Sequence, residues 1–386
     1  MEGAKMKKAT LPVRLAFVLA LAIVAYGPQP GHAQEMGMKH AEMMATKVAA
    51  GLNGPMGVMV TPDGAVWVID TGVGGDRKLE VKSPMTGEAT AASFGNSARI
   101  IRIAPDGGQK EIAKLPSIFL GPGESFGGAR LAMLDGKVYA TSGGWTEIWG
   151  DEPLPGMSKL VRIEDGKPVE LLDTWDFETA HDPDKEVIES HPYALAAGPD
   201  GKLWLLDAAG NDLLKVDPAS GAVQLVAVFG MVPSPIPNPE RGNQMMTDAV
   251  PTGLAFNPDG SVYVSYLPGF PFVPGSAKVV KVTPDGSVSD YATGLTMLTD
   301  LRRGPDGQLY AVTLARFTDQ GPQPNTGAIV RIEPGDASEE VVTGLSFPTS
   351  IDFNAAGDAY VTTNGMGEPG KGEVVMYKGL AARGMH

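Results

Sequence analysis

VPTGLAFNPDGSVYVSY, residues 250–266, carries the reading on which the fold turns. A short apolar stretch runs into Asn257-Pro258-Asp259-Gly260, and a second stretch rich in Val and Tyr follows. Pro presets its own φ, Asp bonds the backbone ahead of it, and Gly accepts the positive φ that closes a tight turn. The two stretches therefore pair as neighbouring antiparallel strands.

Outward from this copy, five more appear: GPMGVMVTPDGAVWVID from Gly54, GGARLAMLDGKVYATS from Gly127, HPYALAAGPDGKLWLLD from His191, TDLRRGPDGQLYAVT from Thr299 and FPTSIDFNAAGDAYVTT from Phe347. Each is followed, after an insert of variable length, by a third strand with its own turn, such as KLVRIEDG from Lys159 or AKVVKVTPDG from Ala277. A fourth strand comes next, as in VQLVAVF from Val223 and EEVVTGL from Glu339. A lone four-stranded sheet cannot cover both its faces and must stack on its neighbours. The repeats predict an all-β chain: a single six-bladed β-propeller of four-stranded antiparallel blades.

The last unit lacks an outer strand, yet TKVAAGL at residues 46–52 matches the outer strands that end in TGL. The N-terminal strand is expected to close the last blade and leave no open edge. The expected organisation is a leader at 1–33, a Met-rich segment at 34–45, the propeller at 46–380 and a tail at 381–386. The long inserts, 71–97, 143–157, 173–189, 230–248, 267–276 and 316–326, are rich in Gly, Pro and charge and read as ordered excursions. A short helix is expected within 184–190.

Lys5, Lys7, Lys8 and Arg14 precede an apolar run of 12 residues from Leu15 to Tyr26, and Gly31-His32-Ala33 suits signal peptidase. The run is short of the roughly 20 residues that span a bilayer as a helix, so cleavage after Ala33 and a periplasmic or secreted product are expected, with no membrane span. Loss of the leader's four basic residues and one acid, Glu2, takes the net charge from −14 to −17. A surface that acidic repels phosphate backbones, which excludes nucleic acid as a partner. The absence of cysteine excludes disulfides, thiolate metal sites, a lipid-modified N-terminus and covalent haem. In the segment after the leader, Met36, Met38, His40, Met43 and Met44 are soft donors of the kind Cu(I) takes, or simply a Met-rich tail.

Ligands are expected at the face where the inner strands begin, because six units converge there. His191, Tyr193, Thr252, Asp300 and Arg302 fall at inner-strand starts and are candidate binding residues, beside Asn53, Arg130 and Thr349. His191 reads either as a base or ligand at the channel mouth or as a structural histidine. Phe270 and Phe272 in YLPGFPF form either a stiff apolar wall for a planar or sugar-like ligand or a small core under a loop. Asp207, Asn211 and Asp212 in DAAGND offer hard oxygen donors to a divalent metal such as Ca²⁺, or else cap strand ends. No Ser-His-Asp set, phosphate-cradling loop or HExxH helix is present, so no catalytic residue is assigned.

GLNGPMGVMVTPDGAVWVIDTGVGGD, SHPYALAAGPDGKLWLLDAAGNDLLKVD, AVPTGLAFNPDGSVYVSYLPGFPFVPGSAKVVKV and GLSFPTSIDFNAAGDAYVTTNG together resemble the ScyD/ScyE family of secreted propellers, distantly akin to NHL-repeat proteins. The resemblance spans residues 47–377 and implies the fold and export. It departs at His191, where the family tends to have Asn, and at Arg77-Lys78, where a Cys often follows Gly-Gly-Asp. The six-bladed gluconolactonases hold a divalent metal in the channel with Glu, Asn and Asp from different blades, whereas this chain opens its first inner strand with Asn53-Gly54-Pro55.

The function expected on these grounds is an exported cell-envelope binding or scaffold module. It would hold a small molecule, glycan or envelope protein through its channel-mouth loops and act as a monomer, with catalysis left open. The alternative is a metal-dependent hydrolase of the gluconolactonase type, with Asp207, Asp212 and Asp300 as ligands near His191. A quinone-cofactor sugar dehydrogenase has only the propeller shape in its favour.

Overall fold

The computed structural model describes residues 44–83, 87–238, 241–318 and 320–382. The leader, nearly all of the Met-rich segment and most of the tail lie outside the described residues. The described chain is all-β apart from short 3-10 turns, one of them Glu147–Trp149, and one α-helix, α1 (Thr174–His181). None of its helices is long and apolar enough to cross a membrane.

Six sheets of four or more strands are found among the described residues, each antiparallel and built from strands close in sequence, save that the sixth recruits the N-terminal strand. The first runs Pro55–Val60, Val66–Asp70, Ala89–Ile103, Gln109–Gly121 and Glu124–Phe126, with Arg77–Lys82 paired to the outer part of Ala89–Ile103. The second runs Gly128–Leu134, Lys137–Ser142, Lys159–Glu164, Lys167–Asp173, and the third Pro192–Ala197, Leu203–Asp207, Asp212–Val216, Val223–Val228. The fourth holds Pro251–Phe256, Val262–Tyr266, Ala277–Val282, Val288–Leu295, and the fifth Leu298–Arg303, Leu309–Thr313, Gly327–Ile332, Glu339–Leu345. The sixth is ordered Ser350–Phe353, Ala359–Thr363, Gly372–Tyr377, Ala45–Leu52. The first strand of each sheet packs against the first strands of the sheets before and after it, and Ser350–Phe353 returns to Pro55–Val60. The arrangement is propeller-like.

Stacking face to face explains the sequence pattern of the second strands. Val66–Asp70, Leu203–Asp207, Val262–Tyr266 and Leu309–Thr313 are buried at every residue, so they read as continuous apolar runs and not as alternation. Apolar clusters fill the spaces between neighbouring sheets. One joins Val58 and Val68 of the first sheet to Leu52 and Val374 of the sixth. Ala45–Leu52 has the same succession of buried and exposed residues as the outer strand Val288–Leu295, as their similar sequences predict.

The inner strands share a distortion. Pairing shifts by one residue between Pro55 and Gly57, Pro192 and Ala194, Pro251 and Gly253, and Leu298 and Asp300. A bulge of this kind bends the strand and redirects the extra residue, here Met56, Tyr193, Thr252 and Thr299. Gly253 permits the close approach that follows: a Cβ there would lie 2.2 Å from the Leu301 nitrogen.

Among the described residues several inserts carry short two-stranded ribbons, such as Val232–Asn238 with Gln244–Thr247. The helix lies earlier than residues 184–190. Asp173 caps α1 by accepting from the Asp176 backbone N–H at 3.1 Å, and the chain leaves it at Asp182, left-handed at φ 41° and followed by Pro183. A residue before proline disfavours the helical region, which stops α1 there.

Candidate functional site

The residues at the corner entering each inner strand, aligned on the repeat, are Gly54, Gly127, His191, Val250, Met297 and Phe347. His191 alone is polar. Val250 and Met297 are buried in one apolar cluster with Met56, Tyr193 and Met366, and Phe347 packs on it. A divalent cation on the axis needs several oxygen donors, and this corner ring supplies none from its side chains. The axial metal of the gluconolactonase pattern therefore does not fit here.

Deeper in the channel the bulges bring Arg130 and Asp300 together, both fully buried. Arg130 donates to the carbonyls of Met56, Ala129, Thr299 and Thr349, and its Nε lies 3.6 Å from Asp300 Oδ2. Its guanidinium also lies 4.6 Å from the centre of the Tyr193 ring. Asp300 accepts from Ser350 Oγ at 2.6 Å and from the backbone N–H groups of Leu301 and Ile351. Thr252 donates to the Leu298 carbonyl at 2.7 Å. Asp300 and Thr252 are thus internal ties between sheets, occupied by protein partners. Arg302 sits further along the same strand, 3.1 Å from Asp300 Oδ1. It lines the opposite mouth, a pocket of about 580 Å³ that also contains Asp352. Burial pushes the Asp352 carboxyl up to about 6, while the nearby Arg302 charge pulls it down.

His191 and Tyr193 line a cleft at the first mouth together with Asn53, Thr71, Ser125 and Met366. Its volume is about 30 Å³, roughly one water molecule's share of the liquid. Burial, and then the Arg130 charge, lower the His191 imidazole to about 4, so the ring is neutral at physiological pH. Met366 and Gly367 also line a second, open pocket of about 710 Å³, whose other walls include Gln320, Gln323, Asn364, Glu368 and Lys371. Met366 lines both the water-sized cleft and this pocket, whose walls also include Pro122, Pro322, Pro324 and Phe347 and are mainly apolar. Nothing in the sequence reading singled it out, because the 364–371 loop meets the first sheet only through the fold.

The aromatic loop does not present its rings to solvent as a binding wall. Phe272 is 4% exposed within the apolar cluster, and Phe270 packs against it, with ring centres 6.0 Å apart in an edge-to-face pair. The loop covers a small core, and Asn238 and Thr247 hold it down by donating to the Phe270 carbonyl. Phe272→Ala should destabilise the chain by about 3–5 kcal/mol, the usual cost of emptying a buried phenylalanine site. Chemical denaturation would show this as a lowered midpoint; an unmoved midpoint would return the loop to a binding role.

The DAAGND run divides between two roles. Asp207 accepts from Ser190 Oγ and the His191 N–H, both at 2.7 Å, and from the N–H groups of Ala209 and Gly210. Asp70, at the matching end of VWVID, likewise accepts from the Asn53 N–H at 3.1 Å. This is a corner cap repeated between sheets, so Asp207 has its oxygens engaged. Asn211 is engaged as well: its amide donates to Asp184 Oδ2 and the Ala209 carbonyl, and its oxygen accepts from the Val250 N–H. Asp212 differs. It is 1% exposed and its Oδ1 has no hydrogen-bond partner. Besides burial, its carboxyl feels the charges of Asp207, of Glu178 on α1 and of Asp184 beyond it, in that order. Glu178, Asp182 and Asp184 have oxygens within 4.8 Å of one another. Burial, reinforced by Asp207, Asp184 and Asp182, pushes the Glu178 carboxyl up to about 9. Burial raises Asp184 to about 6 and holds Asp212 well above the carboxylate range.

Solved structures similar to this one include an oxidoreductase (glucose dehydrogenase) from Thermus thermophilus. It is 19% identical, with a TM-score of 0.52, over 86% of this chain and 99% of that one. Another is a calcium-binding protein, regucalcin, from Agrobacterium tumefaciens, 13% identical with a TM-score of 0.49, over 87% of this chain and 94% of that one. Quinoprotein glucose dehydrogenase B of Acinetobacter calcoaceticus is 37% identical over 79 residues, which is 20% of this chain and only 15% of that protein's length. Residues 194–368 match the sequence model of the SMP-30/Gluconolactonase/LRE-like region, and over that stretch the chain is gluconolactonase-like.

Proposed function

We propose that the chain is a six-bladed propeller, zipped shut by its N-terminal strand, that acts as a hydrolase of the gluconolactonase type on small polar cyclic esters. The observation that carries the reading is the pairing of a neutral imidazole with an adjoining open pocket of mixed lining, with Met366 in the wall of both spaces. Methionine is unbranched and flexible, so its movement can join the two spaces. In the joined site His191 accepts a proton from water as the water oxygen bonds to the ester carbonyl carbon. The ring C–O bond then breaks, and the imidazolium returns the proton to the departing alkoxide. No step is assigned to an axial metal. The gluconolactonase-like stretch supports the reaction class.

The same reading includes export to the periplasm or beyond, after cleavage near Ala33, and action as a monomer. The likeness to the ScyD/ScyE propellers bears on scaffold and export and brings no reaction with it. The test is acid release from an aldonic acid δ-lactone above its spontaneous hydrolysis. His191→Ala should lower kcat/KM by roughly 100-fold or more, the usual contribution of a general base. Because the base must be unprotonated, the wild-type rate should hold as pH is lowered and then fall as pH passes through about 4. Met366→Ala should lower KM by widening the passage. If the lactone binds but is never opened, the chain is instead the ligand-holding module that a water-sized cleft favours.

A further inference from the structure

We propose that Glu178, Asp182, Asp184 and Asp212 form a binding site for a hard divalent cation of the Ca²⁺ class, at the rim of the third sheet and away from the axis. The donors come from three places: Glu178 from α1, Asp182 and Asp184 from the turn that leaves it, and Asp212 from the first residue of the third strand in that sheet. The oxygens of the first three lie within 4.8 Å of one another. Two ligands on one Ca²⁺, each at about 2.3–2.6 Å, are at most about 5 Å apart, so the spacing admits a single ion.

Acidic residues gather on many surfaces without binding anything, but Glu178 of this cluster is buried, and so is Asp212, which lies outside the close group of three and feels the Glu178 and Asp184 charges. Glu178 is 2% exposed and Asp212 1% exposed. Glu178 Oε1, Asp182 Oδ1 and Asp212 Oδ1 are all buried without a hydrogen-bond partner. Buried carboxylate oxygens left without a donor are costly, and coordination to a metal is one of the few ways to satisfy them. The basic groups nearby do not fill the gap: Arg241 is engaged by Glu186 and Asp248, and Lys185 donates to the His181 carbonyl at 2.9 Å. Gly210 keeps the ground clear, since a Cβ there would lie 3.0 Å from Glu178 Oε2.

The donor set decides the ion. It is all oxygen, which selects hard cations over Zn²⁺ or copper. His181, the imidazole carried by the same helix, has its Nδ1 on the Phe177 carbonyl at 2.8 Å. Ligands drawn from a helix end, a turn and a strand suit the irregular shell of Ca²⁺ better than the strict octahedron of Mg²⁺. When bound, the ion would pin α1 and its turn to the third sheet.

The test uses the full chain, freed of metal with chelator and desalted, and does not depend on any hydrolase activity. Titration with CaCl₂ should give saturable heat at one site, and a hundredfold excess over Kd should raise the melting temperature by several degrees. Mg²⁺ should act more weakly. Asp212→Asn and Glu178→Gln should each weaken Ca²⁺ at least tenfold, whereas Glu111→Gln on an outer strand should leave binding unchanged. Without metal, Asp212→Asn should melt at or above the wild type, because it keeps the shape and leaves no ionisable group in the buried position. Each variant is informative alone, so misfolding of one leaves the other decisive. The proposal is overturned if no divalent ion gives heat or a shift in melting, or if Ca²⁺ binds equally well to both variants.

Discussion

Arg130→Met should unfold this protein under conditions where the wild type is stable. One guanidinium at the axis serves four backbone carbonyls, from three different inner strands and the corner before a fourth, and it neutralises Asp300. Replacing it with an apolar chain leaves those carbonyls without their donors and Asp300 with Arg302 as its remaining cation. Breaking a buried pair from one side costs about 3–5 kcal/mol, and the unserved carbonyls add to that. The expected total is comparable to the roughly 5–15 kcal/mol by which a typical domain is stable. Arg130→Lys should rescue only part of the loss, since an ammonium lacks the planar fork that reaches several acceptors at once. The measurement is a denaturant midpoint for each variant. A midpoint within error of the wild type for Arg130→Met would show that the axial ties contribute little.

Removal of residues 1–52 should be nearly as damaging. Ala45–Leu52 is the outer strand of the sixth sheet, paired along Gly372–Tyr377 from Ala45 opposite Tyr377 to Leu52 opposite Gly372. It buries Leu52 and Ala49 against the first sheet. Its loss removes a ladder of hydrogen bonds worth about 1 kcal/mol each and a leucine worth roughly 2 kcal/mol, and it bares the strand Gly372–Tyr377 as an open edge. Open edges recruit other chains, so the truncated protein should aggregate. A chain that begins at residue 44 should remain monomeric by light scattering and melt like the longer form. If both truncations behave alike, the N-terminal strand is dispensable and the sheets are held together by their other contacts.

Much of the fold was legible because the repeat is local. A turn of the Pro-Asp-Gly kind fixes the pairing of the strands beside it, so six copies announce six sheets before any long-range contact is known. The outer-strand likeness of TKVAAGL to the TGL strands was also visible, since burial on the same face demands the same pattern. The helix was displaced in the reading because its two buried aromatics, Trp175 and Phe177, make no apolar stripe, whereas its cap at Asp173 and its stop at Asp182-Pro183 depend on local geometry.

The candidate sites were less legible. Asp207 looked like a ligand because two acids and an amide stood together, but the matching Asp70 shows it to be a corner cap. Asp212 stood out in the sequence beside Asp207 and Asn211, whereas Glu178, whose charge it feels, lies far earlier in the chain and carried no signal there. By itself the sequence determined the strands, their local pairing and the number of repeats, because neighbouring residues and turn chemistry decide those. Only the tertiary structure decided which polar groups found partners and which were left buried without them. That outcome depends on residues far apart in the chain reaching the same few ångströms, as the Arg130 guanidinium does with the Thr349 carbonyl.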